Sequence, residues 1–488
     1  MLDKRSFHTY RAAGLRAFTA AAAAVMLTSA CSSTVSGNST STASDPLNMS
    51  GIPTVGGPTG LRPNAPAASR SVTNTDGGQF DRVAAQSISD IEDFWKANYS
   101  KDLPGVFTPV RELVSWDAEA PPIRFCGIET AELVNAAFCT DDITIGWDRG
   151  VLLPALAQAR GDIAITLVMA HEYGHAIQQM SNINPRKTLS LVEEQQADCF
   201  AGVYLRWVAD GESTRFTLNT SDGLNAVLAT TIVLRDSTPF QGDLPKSSDH
   251  GSAFDRVSAL QMGFTTGASE CAAIGLSGIK QRRAGLPQYL PADQSGELPV
   301  SEVSVTTFIE AMKVLFPLKS PPQLALTSAQ DFTCSDARPS PPTAYCPADN
   351  TIFVNIPGLR TMGTPREKLS GIGLQGDNTA YSALVSRYML AWQRDRGGLT
   401  LTDDAAGIRT ACLTGVATAE LVDNTTTPDG NTISLSAGDV DEAVSGLITN
   451  GVAASDVNGE AASSGFSRVT AFREGLTGNA DRCVQLFP

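Results

Sequence analysis

His171-Glu172-Tyr173-Gly174-His175 is the stretch from which the rest of this chain is read. On a helix, residues four apart lie on one face, so both imidazoles can reach one cation. Glu172, between them, stands close enough to take a proton from a water activated by that cation, the arrangement with which zinc hydrolases work. The 488-residue chain has only four histidines, and one of them, His8, lies in a segment expected to be removed. In a chain this poor in histidine the pattern arises by chance on the order of a few times in a thousand. The competing interpretation is a pair of histidines satisfied in the core of a buried helix.

Two imidazoles leave a zinc site incomplete, because catalytic zinc takes three protein ligands and keeps an open position. The helix is expected to run to about Met180, where Asn182-Ile183-Asn184-Pro185 breaks it. A second helix is predicted from about Leu189 to Asp210, with Val192, Gln196, Phe200, Val203, Tyr204 and Trp207 on its inward stripe. Glu194 and Asp198 lie one turn apart on it and can face the first helix together. Glu194 is therefore the expected third ligand, and Asp198 the expected acceptor for the free ring N–H of a ligating histidine. Glu193 competes, but its i+4 neighbour is Ala197 and offers no comparable pair. His250, in Asp249-His250-Gly251-Ser252, precedes a predicted helix and has three open roles. It could act catalytically by stabilising an oxyanion, add a fourth metal ligand, or serve as a surface or capping residue.

The first thirty residues read as a signal peptide, with Lys4, Arg5, Arg11 and Arg16 ahead of an apolar run from Ala17 to Ala30. Leu27-Thr28-Ser29-Ala30-Cys31 resembles a bacterial lipobox, so Cys31 is the expected lipidation site. Residues 31–79, rich in Ser, Thr, Gly and Pro, are expected to form a flexible tether. The chain is thus expected to be exported and held at a membrane by its lipid, with plain secretion as the alternative. Its net charge is −15, and removal of residues 1–30 leaves 32 basic against 50 acidic residues. No basic patch offsets phosphate repulsion, which argues against a nucleic-acid partner.

Setting Cys31 aside leaves eight cysteines, enough to pair completely in an oxidising compartment. Ser252–Cys271 and Ser464–Cys483 align without a gap and share nine of twenty residues, including Phe254/Phe466, Arg256/Arg468 and Gly263/Gly475. Cys199-Phe200-Ala201-Gly202-Val203 matches Cys412-Leu413-Thr414-Gly415-Val416, and Cys126 and Cys139 correspond to Cys334 and Cys346. The pattern reads as an internal duplication with self-contained pairing: Cys126–Cys139, Cys199–Cys271, Cys334–Cys346 and Cys412–Cys483. Residues 80–290 and 291–488 are then two domains, joined near Gly285–Pro299. Ser386, Arg387 and Leu390 fall opposite His171, Glu172 and His175, while Gly407 and Ala411 fall opposite Glu194 and Asp198. The second repeat is therefore expected to lack metal. Arg256, which recurs as Arg468 in that metal-free half, reads as structural.

Together these blocks resemble the bacterial neutral zinc metallopeptidases, a zincin-like family. The likeness rests on His171 to His175, on Glu194-Gln195-Gln196-Ala197-Asp198-Cys199-Phe200-Ala201-Gly202, and on His250-Gly251-Ser252 with Arg256. It covers about 81–290 well and 300–488 only as a degenerate copy, and Ala176 stands where the family often carries a further histidine. The resemblance implies an α+β, predominantly helical fold, one Zn²⁺ in the N-terminal domain, and hydrolysis of a peptide or protein substrate. It also implies an edge strand beside the metal that pairs with extended substrate, expected at Ile143 to Trp147. The rival expectation is an inactive envelope binding or scaffold lipoprotein. A third is hydrolysis of cell-wall peptides or another amide.

Overall fold

The run from Ile163 to Ala170 contains a single polar side chain, Thr166, so the helix it forms is buried on every side. In the computed structural model, which describes residues 48–49, 51–185, 187–243, 250–327, 332–365 and 374–488, this helix is the axis of the N-terminal half. The signal segment, Cys31 and the start of the expected tether lie outside the described residues. The principal elements of this half are helix α1 (Gln79–Asp102), strands β1 (Glu112–Trp116), β2 (Ala136–Cys139) and β3 (Thr144–Asp148), and helices α2 (Asp162–Ser181), α3 (Ser190–Ala209), α4 (Asp222–Val233) and α5 (Ala253–Thr266). The second half contributes β4 (Gln323–Thr327), β5 (Thr343–Cys346), β6 (Thr351–Asn355), α6 (Asp377–Arg396), α7 (Asp404–Glu420), α8 (Asp439–Thr449) and α9 (Gly465–Leu476). The fold is mixed and helix-rich, as an α+β protein should be. Among the described residues no helix is long and apolar enough to cross a membrane.

Asn182 stops α2 by adopting a left-handed conformation (φ 49°), tolerated by asparagine better than by most residues. Ser252 starts α5 through a capping box with Asp255. Between α3 and α5 the backbones nearly touch. A Cβ added at Gly202 would lie 2.1 Å from the Leu260 carbonyl oxygen, and one at Gly263 would lie 1.8 Å from that of Cys199. The Cys199–Cys271 disulfide secures this crossing. The second half uses the same device: added Cβ atoms at Gly415 and Gly475 would lie 2.0 Å and 1.9 Å from the Phe472 and Cys412 oxygens, beside Cys412–Cys483. Cys126–Cys139 and Cys334–Cys346 complete the four expected pairs.

In each half a three-stranded sheet has the middle strand parallel to one neighbour and antiparallel to the other, in the orders β1-β3-β2 and β4-β6-β5. This corrects the expected edge strand. Thr144–Asp148 is central and buried along its length, and the edge belongs to Ala136–Cys139. The Gly146 position in the middle of Thr144–Asp148 is pressed by Trp116 and Phe125.

From residue 51 onward the expected tether is also corrected. Gly60–Leu61 pairs antiparallel with Phe216–Thr217, Thr73 bridges Val114, and Arg62 Nε donates to the Phe216 carbonyl at 3.0 Å. Asn219 Nδ2 donates to Thr59 Oγ1 at 2.9 Å, and Arg215 Nη1 to the Pro66 oxygen at 2.7 Å. This polar stretch is ordered because distant segments take up its backbone groups, a source of order that composition does not reveal. Nor do the halves stand apart as two domains. One hydrophobic core runs through both, and the described residues form one compact unit. Asp441 of α8 accepts from the N–H groups of Ala253 (3.0 Å) and Phe254 (2.9 Å), capping α5 from the other half. Gln261 Nε2 donates to the Phe466 oxygen at 2.9 Å.

Gly263→Ala and Gly475→Ala should each lower stability by about 1–3 kcal/mol, the cost of overpacking against backbone that cannot swing away. A denaturant midpoint unchanged in either variant would contradict the crossing geometry.

Candidate metal centre

Gly174, inside the two-histidine motif, brings the second helix to the first. A Cβ there would lie 2.8 Å from both the Cα and the oxygen of Ala197, so only glycine lets α3 lie so close to α2. That proximity places Glu194 against both imidazoles. Its Oε2 is 3.1 Å from His171 Nε2, and its Oε1 is 3.6 Å from His175 Nε2. One ligand atom from each of the three residues lies within 4.8 Å of the others.

The tautomers follow from what holds each ring. His171 Nδ1 lies 2.8 Å from Asp198 Oδ1, a pure acceptor, so Nδ1 carries the hydrogen. His175 Nδ1 lies 3.0 Å from Gln178 Oε1. Gln178 Nε2 donates to the Glu193 oxygen and to Gln196 Oε1, which fixes its Oε1 as an acceptor and puts the hydrogen of His175 on Nδ1 as well. Both Nε2 lone pairs therefore face the Glu194 carboxylate. With both rings neutral, the buried Glu194 Oε2 receives no hydrogen bond. Two lone pairs and a carboxylate converging on one point require something positive between them, a proton or a metal.

Electrostatics in the metal-free protein say the same. Burial opposes charge on His171, yet Asp198 and Glu194 beside it prevail and hold its pKa up to about 10. Burial likewise works against His175, and Glu194 again raises it. Burial raises Glu194, but the two imidazoles override it and drive its pKa far below the usual carboxylate range. Asp198, raised by burial and lowered more by Arg256 and His171, settles at about 2.

Arg256 grips Asp198 with two bonds of 2.8 Å, from Nε to Oδ2 and from Nη2 to Oδ1. Its Nη1 donates to the Leu234 oxygen at 2.6 Å. Glu172, half-buried, accepts from the Phe138 N–H of the edge strand β2 at 2.9 Å. His250 reaches the same place: Nε2 lies 3.8 Å from Glu194 Oε2, and Nδ1 lies 3.4 Å from Asp236 Oδ1. Sequence reasoning missed Asp236, Gln178 and the Phe138 N–H. Gln178 could have been found, being one turn beyond His175 on the same helix; the other two come from distant segments.

The residues that the sequence alignment sets opposite the histidines lie in a filled interior. Ser386, Arg387 and Leu390 are fully buried, and Arg387 donates to the Val452 oxygen, Ser455 Oγ (2.6 Å) and the Asp456 oxygen (3.3 Å). Gly407 lets the same loop approach, since a Cβ there would lie 2.8 Å from the Ala454 oxygen.

Residues 44–274 match the family described as "Putative neutral zinc metallopeptidase". That segment, a little under half of the chain, is similar to the family. "Uncharacterized protein YpfJ" of Escherichia coli K12 is 32% identical over 136 residues, covering 24% of this chain and 46% of that protein. "Uncharacterized protein Rv2575" of Mycobacterium tuberculosis H37Rv is 29% identical over 217 residues, covering 40% of this chain and 71% of that protein. The chain thus spans about half the length of the first of these relatives. No solved structure matches it. The family implies zinc, and the donors fit: two imidazole nitrogens and a carboxylate oxygen are a zinc set, and Glu194 Oε2 lacks any other partner.

Asp198→Asn should weaken zinc binding roughly 10- to 100-fold, as loss of a histidine's orienting carboxylate does; a competition titration with a chromophoric chelator measures it. Metal must also displace the proton. The folded pKa of His171 lies above 6.5, so its charge stabilises the metal-free fold fully below that pH, a contribution lost as pH rises through about 10. Zinc binding at neutral pH should therefore release about one proton, read by calorimetry in buffers of different ionisation enthalpy.

Proposed function

We propose that this protein is an exported zinc metallopeptidase that cleaves peptide bonds with its N-terminal half. The observation that carries the reading is the convergence of two Nε2 nitrogens on the Glu194 carboxylate, beside a second glutamate, Glu172, held by the Phe138 N–H. His171, His175 and Glu194 would hold one zinc ion, which when bound supplies Lewis acidity and an acidified water. Glu172 is the proton carrier, taking a proton from the attacking water and delivering it to the departing amine. The Phe138 N–H keeps its carboxylate turned toward the edge strand. His250, oriented by Asp236, is placed to donate a hydrogen bond to an oxyanion. Substrate would lie extended along β2, the strand with an outward N–H beside Glu172.

Export, with anchoring at Cys31, is supported by the basic-then-apolar leader and by four disulfides, which persist in oxidising compartments. The second half reads as a metal-free copy of the first: strand order, disulfides and helix-crossing glycines recur, while Arg387 and the loop at 452–456 occupy the site. Those same features favour a second reading, a scaffold that keeps the fold without turnover.

Glu172→Gln should retain zinc at one ion per chain and lose peptide hydrolysis by about 10²-fold or more, the scale of general-base contributions. Zinc content by atomic emission and digestion of a peptide library measure the two halves of that statement. A zinc-loaded wild type that cleaves no library member would favour the scaffold.

A further inference from the structure

The N-terminus of α6 gathers a second set of buried charge, remote in sequence from the histidines. Glu297 comes from the segment joining the halves, Asp377 opens α6, and Asp439 and Glu442 lie in the first turn of α8. One oxygen from each of Glu297, Asp377 and Glu442 lies within 4.8 Å of the others. Each carboxylate is held from behind by a backbone N–H: Glu297 Oε2 accepts from Asp377 (3.3 Å), Asp377 Oδ2 from Leu298, and Glu442 Oε2 from Asn378 (2.8 Å). Gly376 makes room for this, because a Cβ there would lie 1.9 Å from Glu442 Oε1.

Asp377 is only 4% exposed, and its buried Oδ1 accepts from no N–H or hydroxyl. Beside it stands another carboxyl, Glu442, with which the Asp377 and Glu297 side chains interact, so the ionised cluster lacks a neutralising donor. Burial, and then the negative charge of the neighbours, pushes Glu442 up to about 10; burial foremost raises Asp439 to about 8 and Asp377 to about 6. Arg235 acts on Glu442 but already faces Asp441 at 3.9 Å. The α6 helix dipole, about half a charge, cannot balance the three groups once they ionise. Two oxygens on one calcium ion can be at most about 5 Å apart, and an all-oxygen carboxylate set is what that ion prefers.

We propose that Glu297, Asp377 and Glu442 bind calcium, as a hard divalent cation, and that the ion ties the inter-half segment, α6 and α8 together. The site shares no residue with the histidine centre and would be selective against zinc, which prefers nitrogen and sulfur donors.

The test titrates calcium chloride calorimetrically into full-length protein in zinc-containing, calcium-free buffer at neutral pH. One calcium per chain should bind with a Kd of about 10⁻³ M or tighter, and saturation should raise the melting temperature. Glu442→Gln should weaken binding about tenfold or more at unchanged zinc content. Glu297→Gln, whose side chain is less buried, provides the same comparison if Glu442→Gln does not fold. Absence of saturable binding with no change in melting temperature would overturn the proposal, leaving protons to neutralise the cluster. Equal affinity in wild type and Glu297→Gln would overturn it as well, by placing the calcium elsewhere.

Discussion

The constraint on which the rest depends is the near-contact of α2 and α3. Helices usually pack with axes 8–10 Å apart, set by the side chains between them. Here Gly174 offers no side chain and meets Ala197, so a carboxylate one turn away on α3 can reach two imidazoles on α2. A second close crossing, of α3 with α5 through Gly202 and Gly263, brings Arg256 against Asp198. Two glycine-mediated contacts thus order a series of charges: Arg256, Asp198, His171, Glu194.

That series is costly to bury. Ionised groups removed from water lose several kcal/mol each unless paired in good geometry. Asp198 is fully paired, by Arg256 on both oxygens and by His171. Glu194 is not: its buried Oε2 faces His171 Nε2 and its Oε1 faces His175 Nε2. The fold therefore invests packing energy in a site that is electrostatically complete only when a cation is present. Such local incompleteness in an otherwise satisfied interior is where function is usually found.

The second half resolves the same packing problem differently. Arg387 carries its own positive charge into the interior and spends its donors on carbonyl oxygens of the 452–456 loop. Burial lowers its pKa to about 10, so it remains charged near neutrality. Asp441 and Gln261 then join the halves into one body, which accounts for a single core in place of two.

Much of the centre could be read from the sequence because it is local. His171, Glu172 and His175 share one helix, Glu194 and Asp198 share the next, and helical periodicity alone puts each set on one face. The cysteine pairing could be read because each pair recurs with its flanking residues. Tertiary structure alone decided what periodicity cannot express: which strand lies at the sheet's edge, that polar residues 51–79 are ordered by backbone pairing, and that Asp236, Arg256 and the Phe138 N–H complete the site. These depend on hydrogen bonds between segments far apart in the chain. Such bonds leave no periodic trace in composition, because a polar residue that pairs across the fold looks, in sequence, like one that faces water.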